Sequence, residues 1–201
     1  AMPAGGWESA TVRVEPTGNV TILTGASPHG QGQETSFAQM GAEVLGLTPD
    51  DVNVVHGDTA VVPYGIGTFG SRGTAVGGTA AYMSLIKLRN KLAKIAGHLM
   101  GEDPKNLVFG GGKISSKSSA NKSIGFTEAV GAAYSAKSLP QGMEPGLDST
   151  TFFEPSNFTF PFGAHVCVVE IDAETGDVRL LKYVAVDDCG NVLNPLLVEG
   201  Q

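Results

Sequence analysis

Hydrophobic and polar residues follow two patterns in the first part of the chain, one typical of strands and one typical of helices. Two β-rich runs, residues 11–15 and 20–24, flank Pro-Thr-Gly-Asn at 16–19, which predicts a hairpin with a four-residue turn. Apolar residues recur at helical spacing over 34–46 and predict an amphipathic helix, and residues 52–56 predict another strand. The helical stripe consists of Phe37, Met40, Gly41, Val44 and Leu45.

A proline-containing turn and a long helix come next. Thr48 precedes Pro49 and two aspartates, which has the form of a helix start and predicts one short helical turn. A second apolar stripe predicts a helix from about residue 75 to residue 100, with basic side chains mostly on its other face. The stripe consists of Leu85, Leu88, Leu92, Ile95 and Leu99.

The rest of the chain predicts short strands and one weaker helix. Residues 107–115 indicate a hairpin around a triple glycine, and residues 125–136 indicate a helix capped at Thr127. Two further strands are predicted over 163–172 and 178–187. Polar residues 115–123, and the tail up to Pro195, are predicted to be loops.

The order of these elements favours an α+β fold. Strands and helices mix without the regular βαβ period of a doubly wound sheet, so we expect mixed sheet strands with helices packed on them. No internal repeat and no sharp linker divides the chain. We therefore predict a single domain or subdomain over residues 1–201.

Composition and charge favour small ligands over nucleic acids. The 201 residues are 41% hydrophobic, and 13 basic against 20 acidic residues give a net charge of −7, which argues against a basic binding face. Cys167 and Cys189 match no metal-binding pattern and suit a reducing, cytoplasmic location. No apolar run approaches the roughly 18 residues of a membrane span, and the first residues do not resemble a signal peptide.

Glycine is the unusual component of the sequence. There are 28 glycines, many of them clustered at 25–32, 64–78 and 109–113. The first two clusters precede predicted helices, where free backbone N–H groups and the helix dipole can hold an anion such as a phosphate. Tight strand-to-helix connections are the alternative reason for these glycines. Neither cluster matches the P-loop or dinucleotide-binding pattern, so an ATPase or NAD-binding domain is disfavoured.

Two side chains in these clusters are suited to a polar ligand. Gln31 lies between Gly30 and Gly32, and its amide offers both donors and an acceptor. Arg72 follows Ser71, and a guanidinium with a hydroxyl suits a phosphate or a carboxylate. Other polar residues are assigned structural, turn or surface roles in preference to catalysis. They are His29, His56, Asp58, Asp187, Asp188 and Cys189.

Four segments in order along the chain resemble the large, molybdopterin-binding subunit of the xanthine dehydrogenase and aldehyde oxidase family. The likeness is greatest to the aerobic carbon monoxide dehydrogenase large chains and their relatives. Each motif alone is weak, but their order and spacing agree along almost the whole chain. The segments are SPHGQGQET at 27–35, HGDTAVVPYGIGTFGSRGTAVGG at 56–78, FPFGAHVCVVEIDAETGDV at 160–178 and DDCGNVLNPLLVEGQ at 187–201.

The resemblance implies contacts with the cofactor at three places. Gln31 matches a family glutamine that hydrogen-bonds the pterin near molybdenum, and Gln201 matches another glutamine at the cofactor. Residues 76–79 match a loop at a helix start, whose backbone amides and threonine hydroxyl reach the cofactor. No residue is expected to be catalytic or to bind a metal. The expected cofactor-binding residues are Gly30, Gln31, Gly32, Ser71, Arg72, Val76, Gly77, Gly78, Thr79 and Gln201.

The resemblance also implies a molybdenum-dependent oxidoreductase that adds water-derived oxygen to a small substrate. Its cofactor is expected to be molybdopterin cytosine dinucleotide with molybdenum, and its partners an iron–sulfur small subunit and an FAD-binding medium subunit. The family's catalytic glutamate and the cysteine loop of carbon monoxide dehydrogenases fall outside this sequence. We therefore expect a truncated subdomain that is inactive by itself and holds no cofactor. Carbon monoxide, aldehydes and N-heterocycles all stay open as substrates.

Two functions of other classes stay open from the sequence alone. The two glycine-rich helix starts are compatible with an independent module that binds phosphate-bearing ligands. A structural or assembly subdomain with exposed faces is the third possibility.

Overall fold

The computed structural model describes residues 6–62, 64–119 and 121–201, and it has an α+β fold. Nine strands and four α-helices are numbered here in chain order. They are β1 (Glu8–Val14), β2 (Val20–Thr24), α1 (Gln33–Leu45), β3 (Val52–His56), α2 (Thr79–Met100), β4 (Leu107–Gly110), β5 (Lys113–Ser116), β6 (Ser123–Gly125), α3 (Phe126–Ala133), β7 (Asp148–Phe153), β8 (Phe162–Ile171), β9 (Val178–Asp188) and α4 (Pro195–Gly200).

A four-stranded sheet in the order β3-β2-β1-β7 carries the main core. β1 pairs antiparallel with β2, with Val14 opposite Val20, and it pairs antiparallel with β7 on its other side. β2 and β3 are parallel, as the intervening helix α1 requires. The hairpin, the helix and the strand predicted from the hydrophobic pattern are thus confirmed.

Helices α1 and α2 pack on this sheet and on each other. Phe37 of α1 and Leu85, Leu88 and Leu92 of α2 are at most 1% exposed. Burial of each such side chain contributes about 1.5–3 kcal/mol relative to exposure. Both helices end at a glycine in the left-handed region, Gly46 and Gly101, whose N–H groups bond back to the last turn.

The start of the second long helix departs from the prediction of an α-helix from residue 75. Residues Gly73–Gly78 form a turn of π-helix that runs directly into α2 at Thr79. The glycines of this turn lie close to neighbouring elements. A Cβ on Gly77 would be 2.7 Å from Cβ of Ala26, and a Cβ on Gly78 would be 3.2 Å from the ring of Phe37.

Several short elements differ from the sequence predictions. α3 begins at Phe126 with Gly125 as its N-cap, so the predicted cap at Thr127 is wrong, and it ends at Ala133. Three elements were not predicted: β6 after the polar segment, β7 at the edge of the main sheet, and α4 after Asn194. α4 forms because Pro195 suits its first turn and the Asn194 side chain accepts the N–H of Leu197.

The long hairpin of β8 and β9 lies outside the core. Every residue from 161 to 190 is exposed, although apolar side chains occupy both of its faces. Val166, Leu180 and Val186 are each more than 60% exposed. This hairpin confirms the two predicted strands. It carries many exposed large apolar side chains on neighbouring positions.

No helix in the described ranges is both long and apolar enough to cross a membrane.

Candidate functional site

The two glycine-rich segments meet where α1 and the π-turn begin. Gln33 is the first residue of α1, and Gly73 is the first residue of the π-turn that leads into α2. A Cβ on Gly73 would lie only 2.6 Å from Nε2 of Gln33. The tertiary structure therefore brings together two helix starts that are 40 positions apart in the sequence.

The first segment forms an open loop in front of α1. Gly30 and Gly32 have φ angles of 104° and 77°, which favour glycine, and Gly32 is the N-cap of the helix. The Oε1 atom of Gln31 accepts a short hydrogen bond from the N–H of His29. This bond leaves the two amide N–H donors of the half-buried Gln31 available to a ligand.

The second segment presents backbone donors. Ser71 has a φ of 56°, the one positive φ of a non-glycine residue in the described ranges. Within those ranges no hydrogen bond engages the N–H groups of Ser71, Gly73 or Thr74. The first N–H groups of a helix have no partner inside the helix, and the helix dipole adds a partial positive charge to them. This turn therefore suits an anion.

Arg72, directly before the π-turn, is buried. Its guanidinium is 1% exposed and forms an ion pair with the fully buried Glu8, with Nη1 2.8 Å from Oε2. Arg72 also donates to the carbonyl groups of Trp7 and Gly67. The sequence predicted a guanidinium suited to a phosphate or a carboxylate, and in the structure it pairs with the carboxylate of Glu8. A contact between Arg72 and a cofactor stays a prediction. Arg72, the residue before the π-turn, is anchored through its contacts with Glu8, Trp7 and Gly67.

Glu8 completes this support and was not identified from the sequence. Its Oε2 atom also accepts the N–H groups of Ile66 and Gly67, at 3.2 and 3.3 Å, and its Oε1 atom accepts the N–H of Ser9. The carboxylate thereby holds the segment before the turn to the start of β1. No pattern in the sequence pairs it with an arginine 64 residues away.

Three buried side-chain polar atoms lack a protein partner within the described part of the chain. They are Oε1 of Gln33, Oγ1 of Thr68 and Nε of Arg72. Gln33 is 4% exposed and Arg72 is 1% exposed, so neither atom is freely hydrated. Buried polar groups are rarely left without a hydrogen bond, and leaving one unpaired costs about 1–3 kcal/mol.

The C-terminal segment closes one side of the first loop. A Cβ on Gly32 would lie 2.6 Å from Cδ2 of Leu197 in α4. The Asn194 amide also donates to Oε1 of Gln39 in α1, at 2.9 Å. Gln201 is exposed at the end of α4, where its N–H bonds to the carbonyl of Val198.

Residues 76–79, which the family resemblance predicts to be a loop at a helix start, lie in the π-turn and at the first residue of α2. They lie within helical turns, and the N–H groups of Val76 and Gly77 both bond to the carbonyl of Arg72. The Thr79 hydroxyl donates to the carbonyl of Ala75 at 2.8 Å. The helix satisfies these donors internally, so the free donors are found earlier, at residues 71–74.

An adjoining cavity of about 890 Å³ borders the outer side of the π-turn. Thr74, Gly78 and Thr79 line it on one side. Tyr82 and Val192 line it elsewhere. A polar ligand at the turn could extend into this space.

The other polar candidates have structural surroundings. Nε2 of His56 lies 2.6 Å from Oε1 of Glu34, Asp58 accepts the N–H of Ala60, and Asp188 accepts the N–H of Gly190. His165 contacts Asp187 at 3.1 Å on the exposed hairpin. No group of three or more metal-ligating side chains occurs within the described residues.

Comparison with protein families gives a match over nearly the whole chain. Residues 2–201 match the model of the molybdopterin cofactor-binding domain.

Relatives with curated functions also match the chain along its length. The carbon monoxide dehydrogenase large chain of Hydrogenophaga pseudoflava is 37% identical over 200 residues, which is 100% of this chain and 25% of that protein. The nicotine 6-hydroxylase large subunit of Paenarthrobacter nicotinovorans is 34% identical and matches 96% of this chain and 24% of that protein. This chain therefore spans about a quarter of the length of these relatives.

Solved structures confirm the similarity of the fold. Quinoline 2-oxidoreductase from Pseudomonas putida 86 superposes with a TM-score of 0.91 at 38% identity, over 97% of this chain and 25% of that chain. A Cu,Mo-CO dehydrogenase superposes with a TM-score of 0.88 at 36% identity, over 96% of this chain and 24% of that chain. The resemblance inferred from the four sequence motifs is confirmed.

Proposed function

This chain belongs to the molybdopterin cofactor-binding domain family, and on that premise we propose that residues 71–74, with the loop around Gln31, hold the cofactor of a molybdenum hydroxylase. The whole protein would be a large subunit of the carbon monoxide dehydrogenase type. Its full proposed cofactor is molybdopterin cytosine dinucleotide, and its proposed partners are iron–sulfur and FAD-binding subunits in the cytoplasm.

The contact between the two helix starts carries this proposal. Gln33 and Gly73 touch, and the N–H groups of Ser71, Gly73 and Thr74 have no acceptor among the described residues. Backbone donors at a helix start bind phosphate without a charged side chain. Because Glu8 neutralises Arg72, the attraction for an anion here comes from the backbone and the helix dipole.

The residues present fit a pterin cofactor that bears phosphate. The amide donors of Gln31 lie in the loop before α1, and Gln33, Thr68 and Arg72 each hold a buried polar atom without a partner among the described residues. The cavity beside Thr74 and Thr79 offers space for a nucleotide. A purely hydrophobic packing role explains none of these unpaired donors and acceptors.

Each residue has a binding role in this proposal, and none transfers a proton or an oxygen atom. When bound, the cofactor supplies molybdenum-centred oxidation of the substrate. The turn at residues 71–74 binds phosphate oxygens through its N–H groups, and Gln31 donates to the pterin from the amide that its bond to His29 orients. Gln201 would add a further amide donor from the end of α4.

The anion site can be tested in the 201-residue chain itself with pyrophosphate as the probe. In ¹⁵N–¹H NMR spectra, we expect saturable shifts of the Ser71, Gly73 and Thr74 amide signals. Amides of α3, such as that of Ala129, should not move. Absence of any saturable shift at the turn would overturn the proposal. Tighter binding of ATP than of pyrophosphate would favour the independent phosphate-ligand module instead.

A second candidate function, assembly, is favoured by the hairpin of β8 and β9. Both faces carry exposed apolar side chains, and the relatives are about four times as long as this chain. We propose that the remainder of such a large subunit covers this hairpin. Apolar area of this extent is otherwise typical of an interaction site.

Sedimentation velocity tests whether the exposed hairpin of β8 and β9 mediates association. The chain alone should self-associate as its concentration rises, because no other partner covers the hairpin. Val166 and Val184 face each other across the strands, so Val166→Glu with Val184→Lys keeps a favourable cross-strand pair while adding charge. This double variant should remain monomeric. Wild-type protein that stays monomeric at all concentrations would contradict the assembly proposal.

A further inference from the structure

We propose that Gln33 is a positioning residue for the anion-binding turn at residues 71–74. It acts through Gly73 and would not itself carry the cofactor's charge. This inference rests on the proposed function, since it concerns the same site, and it gives a role to a residue that lies within the first motif but was assigned none there.

The position of Gln33 supports this role. The residue is 4% exposed, and its Nε2 atom points at Gly73 so closely that any Cβ there would lie at 2.6 Å. The φ angle of Gly73 is not positive. Its backbone therefore does not require glycine, and a Cβ at this position would instead require the Gln33 amide to shift.

The chemistry of Gln33 argues against simple packing. A leucine would occupy a similar volume without a buried polar oxygen, yet Oε1 of Gln33 has no partner among the described residues. Nε of Arg72, a donor, and Oγ1 of Thr68, which can donate or accept, are also buried without a partner among the described residues. A buried acceptor such as Oε1 of Gln33 can be satisfied by a water molecule or by a ligand hydroxyl or amide.

The Gln33 amide is therefore linked to the turn at residues 71–74 through its contact with Gly73. Gln33 limits how far Gly73 can approach α1, and Arg72 anchors the residue before Gly73 through its ion pair with Glu8. The turn is thereby held from two sides. Ser71 keeps its unusual φ of 56° within this frame.

A double-mutant cycle with pyrophosphate tests the link in the 201-residue chain. Gly73→Ala introduces the Cβ that displaces the Gln33 amide, and we expect the dissociation constant to rise about tenfold. In the Gln33→Ala background no amide remains to be displaced, so Gly73→Ala should change the constant less than about twofold. Gly131→Ala in α3 is the matched control, because a Cβ at Gly131 meets nothing within 4 Å.

A pH series distinguishes positioning from structural support. In Gln33→Glu, a neutral carboxyl group resembles the amide, whereas an ionised one repels the anion. Affinity relative to wild type at each pH should therefore fall as the pH rises through the pKa of the new carboxyl group. Because binding is followed by NMR on folded protein, lost stability alone does not produce this profile.

The outcomes separate the two proposals. If wild-type protein binds pyrophosphate but Gly73→Ala has the same effect in both backgrounds, or no effect in either, the role of Gln33 is overturned and the proposed function stands. A flat relative affinity of Gln33→Glu across the pH series also overturns it. If wild-type protein shows no binding at the turn, the proposed function fails and this inference fails with it.

Discussion

Glu8 and Arg72 form an ion pair that is almost completely removed from solvent, with exposed fractions of 0% and 1%. The pair joins the start of the first strand to the residue directly before the π-turn. The carboxylate also accepts three backbone N–H groups, and the guanidinium donates to two carbonyl groups. These additional hydrogen bonds compensate the loss of hydration that usually makes a buried ion pair costly.

Removal of one partner should destabilise the fold strongly. We expect Arg72→Met to lower the free energy of unfolding by about 3–5 kcal/mol, because Glu8 would remain buried and uncompensated. Urea denaturation measures this change. Arg13→Met removes the exposed pair with Asp148, whose side chains are about half exposed, and should cost about 1 kcal/mol or less. Equal losses of unfolding free energy in the two variants would show that the buried pair contributes no more to stability than the exposed pair.

The contact between Gly32 and α4 predicts a different effect for two neighbouring glycines. Gly30 and Gly32 both have positive φ, so alanine at either position costs about 1–2 kcal/mol. Only at Gly32 would the new Cβ also meet Leu197, at 2.6 Å, whereas nothing lies within 4 Å at Gly30. Gly32→Ala should therefore be the more destabilising in thermal unfolding. In a Leu197→Ala background the difference between the two variants should disappear, and its persistence would contradict the contact.

The pH dependence of the turn before β3 follows from its capping box. The backbone N–H of Thr48 donates to the Asp51 carboxylate and has the largest effect in lowering its pKa. The Thr48 hydroxyl donates to the same carboxylate and lowers the pKa further. Because the pKa is lower in the folded state, Asp51 stabilises the fold fully at pH values above its unfolded-state pKa of about 3.9. This contribution is lost as the pH falls through the folded-state pKa. Thr48→Val removes the hydroxyl, so the pKa of Asp51 should rise towards its ordinary value in a carboxyl NMR titration.

Asp172 provides the control for that titration. Its pKa is lowered by the backbone N–H groups of Thr175 and Glu174 in a distant turn. Thr48→Val should leave the pKa of Asp172 unchanged. An unchanged pKa for Asp51 in the same spectra would show that its hydroxyl hydrogen bond is absent in solution.

Gln31→Ala tests the first loop in a large subunit that carries this sequence. Loss of the two amide donors should lower the molybdenum content per subunit, measured by elemental analysis, and activity should fall in proportion. Gln141→Ala, on an exposed turn far along the sequence, is the control. Wild-type molybdenum content together with wild-type activity in Gln31→Ala would remove Gln31 from the site.

The sequence predicted those elements whose stability is local. The helix at 34–46 and the hairpin at 11–24 appear with bounds within a few residues, because periodic apolar positions and turn residues act between near neighbours. β7 escaped prediction because the segment Asp148–Phe153 becomes a strand by pairing with β1, more than 130 residues earlier. β6 forms by pairing with the nearby β5, and α4 was missed although Asn194 and Pro195 provide a local start signal.

The candidate site likewise has features that the sequence predicted and features that depend on tertiary contacts. By itself the sequence determined that two glycine-rich segments precede helices, and its motifs determined the family. Only the tertiary structure decided that Arg72 pairs with Glu8, that the N–H groups of Val76 and Gly77 bond to the carbonyl of Arg72, and that Gln33 lies beside Gly73. The backbone conformation of a helix start or a tight turn is set largely by neighbours in the chain, whereas the partner of a buried charge or amide is set by whichever group folding brings beside it.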